Sequence, residues 1–79
     1  MPNREEVWKQ VLAEIELTTS RASFVTWFQE TTIADIADGT VTVSVPNGFA
    51  KNWLQDKYHK TILRCLRGLL GDTREVAYV

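Results

Sequence analysis

The sequence predicts a small α+β domain with the element order α-α-β-β-α-β. Three observations predict it. Apolar residues recur at helical spacing over residues 4–30, they alternate with polar residues around a central Asp-Gly pair, and helical spacing returns after Pro46. With 79 residues, 44% of them hydrophobic and 24% charged, the chain has the size and composition of one globular domain, residues 1–79. We therefore expect three short strands in a sheet packed against helices.

The first two elements are predicted to be helices joined by a short turn. Asn3 and Glu6 have the spacing of a capping box, which starts a helix over about residues 4–17. Ser20 is a candidate cap for a second helix over about residues 21–30. The apolar residues that define the two helices are Trp8, Val11, Leu12 and Ile15, then Phe24, Trp27 and Phe28.

Two strands that form a hairpin are predicted next. Residues 33–36 and 40–45 flank Asp38-Gly39, a pair that favours a type I′ turn because that turn needs positive φ angles. Residues 75–79 alternate again and are predicted to form a third strand. One face of the second strand is apolar and is expected to be buried, with Val41, Val43 and Val45.

The longest predicted helix begins after Asn47, which is placed to cap it, and runs to about Leu70, where Gly71 supplies a stop. This span of 24 residues is long for so small a domain, so we expect a bend near Asp56-Lys57. Its main apolar stripe consists of Leu54, Tyr58, Ile62, Cys65, Leu66 and Leu69.

Residue counts argue against an enzyme and against a cofactor. His59 is the only histidine and Cys65 the only cysteine, so a transition-metal cluster, a catalytic triad and a disulfide framework all lack members. We expect His59 at the surface and Cys65 as a small buried hydrophobe. Neither the G-x-x-x-x-G-K-[ST] nor the G-x-G-x-x-G phosphate loop occurs. The function is therefore predicted to be binding.

The cytoplasm is the expected location. No apolar run has the length of a transmembrane helix, and the first residues are charged instead of forming an apolar signal core. A single cysteine with apolar neighbours fits a reducing compartment. We expect no membrane partner.

Charge is unevenly distributed along the chain. The net charge of −1 argues against a strongly basic nucleic-acid binder, but residues 1–45 carry three basic and seven acidic residues while residues 46–79 carry six basic and three acidic ones. Four cations recur along one side of the long helix, either as a solvated face or as weak contacts to phosphates. Trp53 projects to roughly the same side and is either covered by the first helix or a base-stacking platform. The four cations are Lys57, Lys60, Arg64 and Arg67.

Two aromatic residues have open roles. Phe49, in the first turn of the long helix, either packs onto the core or stands exposed as an anchor for a partner. The position of Trp8 in its helix favours the core, yet a domain this small does not easily bury three tryptophans, so one of them is expected near a self-association surface.

Taken in order, these motifs resemble the N-terminal domain of the bacterial replication initiator DnaA. They are W-x-x-x-L-x-x-I and F-x-x-W-F in the two helices, the Asp-Gly hairpin, and V-P-N-x-F-x-x-x-W-L-x-x-K-Y from Val45 to Tyr58. The resemblance covers essentially the whole chain, and P-N-x-F-x-x-x-W is its most specific part. It implies a KH-like α+β fold and an interaction module that self-associates, recruits the replicative helicase and initiation regulators at the origin, and touches single-stranded DNA weakly. It also implies that the ATPase and duplex-DNA-binding domains are absent here.

The resemblance assigns roles to individual residues. Phe49 matches an aromatic implicated in helicase contact, which makes the exposed anchor the expectation. Asn47 matches a polar residue used by regulators, and Trp8 matches an aromatic near the self-association surface. Ser23 stands where some members carry a glutamate that assists the helicase contact, so this part of the contact departs from the family pattern. The G-x-x-G loop of KH nucleic-acid binding is missing, which argues against a dedicated RNA binder.

Three functions remain open at this point. A docking and self-association module of replication initiation leads. The alternatives are a small nucleic-acid-binding module, which uses the four cations and Trp53, and a standalone regulator that caps initiator self-association. Salt-dependent binding of an oligonucleotide tests the first alternative, and a reading frame that continues into a P-loop domain would exclude the second.

Overall fold

A computed structural model of the chain describes residues 3–79 and confirms the predicted fold class. Two helices are followed by a hairpin, a long helix with an irregular middle, and a last strand. The long helix consists of α3, a π-helical segment and α4. The elements are α1 (Arg4–Glu16), α2 (Arg21–Phe28), β1 (Thr32–Ala37), β2 (Thr40–Ser44), α3 (Gly48–Trp53), the π-helical segment (Leu54–Tyr58), α4 (His59–Leu70) and β3 (Glu75–Tyr78).

Both predicted helix starts are confirmed by their caps. The Asn3 side-chain oxygen accepts a hydrogen bond from the Glu6 N–H at 2.8 Å, and the Ser20 hydroxyl accepts one from the Ser23 N–H at 3.2 Å. The second helix is shorter than predicted because the backbone N–H and the hydroxyl of Thr31 both bind the Phe28 carbonyl, at 3.2 and 2.6 Å, and close the last turn. These local bonds fix the ends of α1 and α2.

The hairpin forms at the predicted place. Asp38 and Gly39 have φ angles of 52° and 80°, the positive values that a type I′ turn requires. β1 pairs antiparallel with β2, with a bulge between Ile33 and Asp35. β3 pairs parallel with β2, so the strand order is β1-β2-β3, and the long helix makes the crossover that a parallel pair needs.

The irregular segment of the long helix lies where the sequence predicts a bend. Residues Leu54–Tyr58 are π-helical, so the helix widens there and the residues after it face directions that a regular α-helix would not give. The helix ends at Leu70 as predicted. Gly71 has a φ of 89°, and its N–H donates to the Arg67 carbonyl at 2.9 Å, which confirms the glycine stop.

One hydrophobic core holds these elements together. Cys65 is buried as predicted, and burial raises the pKa of its thiol to about 11. His59 lies at the surface as predicted, with its ring half-buried, and its Nδ1 is 3.1 Å from the Tyr78 hydroxyl because β3 runs beside the start of α4. The largest fully buried side chains are Phe28, Ile15, Leu54, Ile62, Leu66, Val11, Val41 and Val43.

Candidate interaction surface

Phe49 is the most exposed aromatic side chain of the described residues. It lies in the first turn of α3, and 80% of it is accessible to solvent. The alternative in which this ring packs onto the core is therefore wrong. An exposed phenyl ring on a helix start can be buried by another molecule, and aromatic side chains of this kind are frequent anchors of protein interfaces.

Asn47 combines an exposed position with the predicted capping role. Its side-chain oxygen accepts a hydrogen bond from the Ala50 N–H at 2.8 Å, and its backbone carbonyl accepts one from the Lys51 N–H at 3.1 Å. Since the side-chain oxygen already serves the cap, the side-chain NH₂ is the group of Asn47 that a partner can use. Capping and partner contact can therefore coexist in one side chain.

Two tryptophans hold α3 against α2. The rings of Trp27 and Trp53 stack with centroids 4.7 Å apart and an angle of 10° between their planes. Trp53 is thus covered by a residue of the second helix. The two alternatives for Trp53, cover by the first helix and a base-stacking platform, did not include this pairing. The Lys57 ammonium lies 5.9 Å from the centre of the Trp53 ring, within the range of a cation–π contact. We call Asn47, Phe49, Trp53 and Lys57 the α3 surface.

Ser23 is tied to this surface through the tryptophan stack. It lies one helical turn before Trp27, as Phe49 lies one turn before Trp53. Ser23 is half-buried, and its backbone N–H serves the Ser20 cap. Its hydroxyl provides no negative charge, so a contact that depends on a carboxylate at this position has no equivalent here.

Three of the four predicted cations, Lys60, Arg64 and Arg67, lie at helical spacing in α4, and Lys57 lies in the π-helical segment before them. The Lys57 ammonium lies over Trp53, and the Arg67 guanidinium donates from Nε to the Thr73 carbonyl at 2.8 Å. Lys60 lines a shallow pocket together with Lys57, whereas Arg64 lines a different one. Because the π-helical segment has a wider turn than an α-helix, a single stripe through all four cations stays a prediction.

Trp8 belongs to the core. It is only 3% exposed, and its indole N–H donates to the Thr31 hydroxyl at 3.0 Å. The edge of the ring that remains accessible lines a groove between α1 and α2, together with Leu12 and Phe24. A role in self-association stays a prediction for Trp8, and it would act through this groove and not through an exposed ring.

The described residues hold neither a cluster of metal ligands nor a thiolate nucleophile. Among residues 3–79, no three His, Cys, Asp or Glu side chains are grouped closely enough to hold a metal ion. The raised pKa of Cys65 keeps its thiol protonated at neutral pH, which removes it as a nucleophile. None of the helices in this part of the chain combines the length and the apolar character that a membrane span requires.

The fold and the α3 surface together define a small α+β domain of the interaction type. The comparison with known families gives the same class of domain and identifies the family. The family model for the DnaA N-terminal domain matches residues 5–68, and the chain belongs to this family. The match includes Ser23, Trp27 and the whole α3 surface. The family is a non-catalytic domain of the replication initiator, which confirms the resemblance that the sequence motifs indicated.

Proposed function

We propose that this domain is a docking and self-association module of replication initiation in the cytoplasm. Its α3 surface contacts the replicative helicase and initiation regulators, with Phe49 as the anchor and Asn47 as the neighbouring polar contact. The observation that carries the proposal is the 80% exposure of the Phe49 ring on a helix that belongs to a DnaA N-terminal domain.

The physical argument rests on the rigidity of the helix that carries this ring. Asn47 caps the first turn of α3, and Trp53 stacks on Trp27 one turn later. Because the backbone around Phe49 is held on both sides, little conformational freedom is lost when a partner buries the ring. Ser23 supplies no carboxylate, so its hydroxyl is the group that this position would offer to the helicase beside the α3 surface.

The test is a Phe49→Ala variant titrated against the replicative helicase of the same organism by calorimetry. We expect binding to weaken by ~1–4 kcal/mol, which is the range for an aromatic anchor. Stability should stay within about 0.5 kcal/mol of wild type, because the ring is exposed. The matched control is Leu17→Ala, since Leu17 is 86% exposed and lies at the end of α1.

Two outcomes would count against the anchor. If Phe49→Ala stayed folded and bound the helicase as wild type does, the ring would not be part of the contact. If Leu17→Ala weakened binding equally, the loss would reflect general surface hydrophobicity and not the α3 surface.

A second candidate function is weak binding of single-stranded DNA. It is favoured by the Lys57 ammonium beside two stacked indole rings, since such groups can contact a phosphate and a base together. Lys60 and Arg64 would add phosphate contacts on the same helix, and Arg67 would add less because its Nε is bound to Thr73.

Titration with an oligonucleotide at about 50 mM and about 200 mM salt separates the two functions. Binding that persists at the higher salt concentration, and that a Lys60→Glu/Arg64→Glu variant loses, would favour a nucleic-acid-binding module. Binding that disappears with salt would leave DNA as an accessory partner of a docking domain.

A further inference from the structure

Asn47 and Gly48 are the one Asn-Gly pair of the sequence. Both residues are exposed, at the junction between β2 and α3. The amide carbon of an asparagine side chain can be attacked by the backbone nitrogen of the next residue. Glycine allows this attack best, because it has no Cβ to hinder the approach and its backbone rotates freely. The pair therefore places an electrophilic carbon and a nucleophilic nitrogen in consecutive residues.

The backbone nitrogen of Gly48 is free to react. No backbone carbonyl among residues 3–79 accepts its N–H, as is usual for the first N–H of a helix. A Cβ built at Gly48 would meet nothing within 4 Å, so the space beside this residue is open. Neither a hydrogen bond nor a packed neighbour therefore protects the nitrogen.

We propose that Asn47 is a site of spontaneous deamidation, which converts it to aspartate and isoaspartate. Hydroxide removes the proton from the Gly48 nitrogen, and this nitrogen forms a bond to Cγ of Asn47. The bond from Cγ to Nδ2 breaks, and the NH₂ group leaves as ammonia with a proton from water, which restores the hydroxide. Water then opens the five-membered succinimide ring. Attack at Cγ gives aspartate, whereas attack at the backbone carbonyl carbon gives isoaspartate, in which the chain continues through the side chain.

The helix cap controls when the ring can close. The Asn47 backbone is extended, with a ψ angle of 175°, and hydrogen bonds from the N–H groups of Ala50 and Lys51 hold it there. Ring closure needs a rotation about ψ, so the first turn of α3 must open. Exposed helix ends open at a low free-energy cost. We therefore expect Asn47 to react more slowly in the folded domain than in an unstructured peptide, but faster than an asparagine inside a helix.

The two products change the α3 surface in different ways. Aspartate keeps an oxygen that can accept the Ala50 N–H but loses the side-chain NH₂. Isoaspartate adds a methylene group to the backbone, which separates the cap from the helix and displaces Phe49. Both products introduce a negative charge. The reaction is independent of docking, but its effect on helicase binding rests on the proposed function: deamidation limits the lifetime of the docking-competent surface.

Peptide mapping of the domain during incubation at mildly alkaline pH tests the reaction. Trypsin places Asn47 in a peptide of residues 22–51, as its only asparagine, and Asn52 in a peptide of residues 52–57. Asn52 is the internal control, because it lies inside α3 and is followed by tryptophan. We expect NH₂ to be replaced by OH at Asn47 at least about tenfold faster than at Asn52, and the rate to rise with pH.

Gly48→Ala is the matched variant. Its Cβ has room and alanine is a good helix former, so the variant should fold. The Cβ hinders the nitrogen, and we expect deamidation of Asn47 to be at least about tenfold slower. A synthetic peptide of residues 22–51 gives the rate without the helix cap. Helicase titration of aged protein should show weaker binding for the wild type than for Gly48→Ala.

Three results would overturn these inferences. If Asn47 reacted in the peptide but no faster than Asn52 in the folded domain, the cap would protect it completely and the proposed site would not exist. Equal rates in wild type and Gly48→Ala would exclude the Gly48 nitrogen as the nucleophile. If the wild type deamidated and still bound helicase fully, the reaction would be confirmed, and the docking role of the Asn47 side chain would be wrong.

Discussion

Asn47 offers the sharpest test of the α3 surface, because its side chain has both a structural and a proposed binding role. The residue has an extended backbone, and its oxygen lies 2.8 Å from the Ala50 nitrogen. Asn47→Ala removes this acceptor, which typically costs about 0.5–2 kcal/mol at a helix cap. Ala50 is buried, so its N–H has little access to water as a substitute, and we expect about 1–2 kcal/mol.

Asn47→Asp separates the two roles. A carboxylate keeps the acceptor for Ala50, and its negative charge is favourable at a helix start by about 0.3–1 kcal/mol. The same change removes the side-chain NH₂, the group that we assign to a partner. We therefore expect Asn47→Asp to be as stable as wild type or slightly more stable, and to bind helicase or regulators more weakly.

Thermal unfolding and calorimetric titration of the three proteins provide the measurement. For a domain of this size a loss of 1 kcal/mol lowers Tm by roughly 4–8 °C, so the destabilisation of Asn47→Ala is easily resolved. An Asn47→Ala variant with unchanged Tm would show that the cap contributes nothing. Wild-type affinity in Asn47→Asp would show that the side-chain nitrogen does not contact the partner.

Two further predictions concern the fold that carries the surface. Gly39→Ala should lower stability by about 1–3 kcal/mol in thermal unfolding, because φ is +80° there and the new Cβ would lie 2.6 Å from Nε of Arg74. Gly68→Ala should raise stability by about 0.5–1 kcal/mol, because Gly68 lies within α4 and its new Cβ would meet nothing within 4 Å. Burial raises the pKa of Tyr78 from 10.0 to about 12, so its stabilising effect is complete below pH 10 and is lost as the pH rises towards 12, by roughly 1–2 kcal/mol because solvent screens the partly exposed hydroxyl. Denaturant unfolding between these pH values should show that the free energy of unfolding declines, and Tyr78→Phe should make the decline smaller. Both proteins should carry Cys65→Ala, because the Cys65 thiol titrates in an overlapping pH range. If stability declined equally at alkaline pH with and without Tyr78, the tyrosine would not be its cause. If the two glycine variants changed Tm equally, the positive φ of Gly39 would not explain the effect there.

Features decided by neighbouring residues could be predicted from the sequence. The Asn3, Ser20 and Asn47 caps, the Asp38-Gly39 turn and the Gly71 stop each depend on a few consecutive residues and their backbone angles. All of them are confirmed. Their physical basis is local, because an N-cap side chain binds an N–H two or three residues away and positive φ favours particular residue types.

Features decided by distant residues could not be predicted in the same way. Trp27 and Trp53 are far apart in sequence, and only the packing of α3 on α2 brings their rings together. The π-helical turn could not be predicted either, because helical spacing assumes an α-helix throughout and no signal in residues 54–58 specifies a wider turn. For Phe49 the sequence pattern left two alternatives open, a ring packed onto the core and an exposed ring, because an aromatic residue in the first helical turn fits both. The family resemblance favoured the exposed ring.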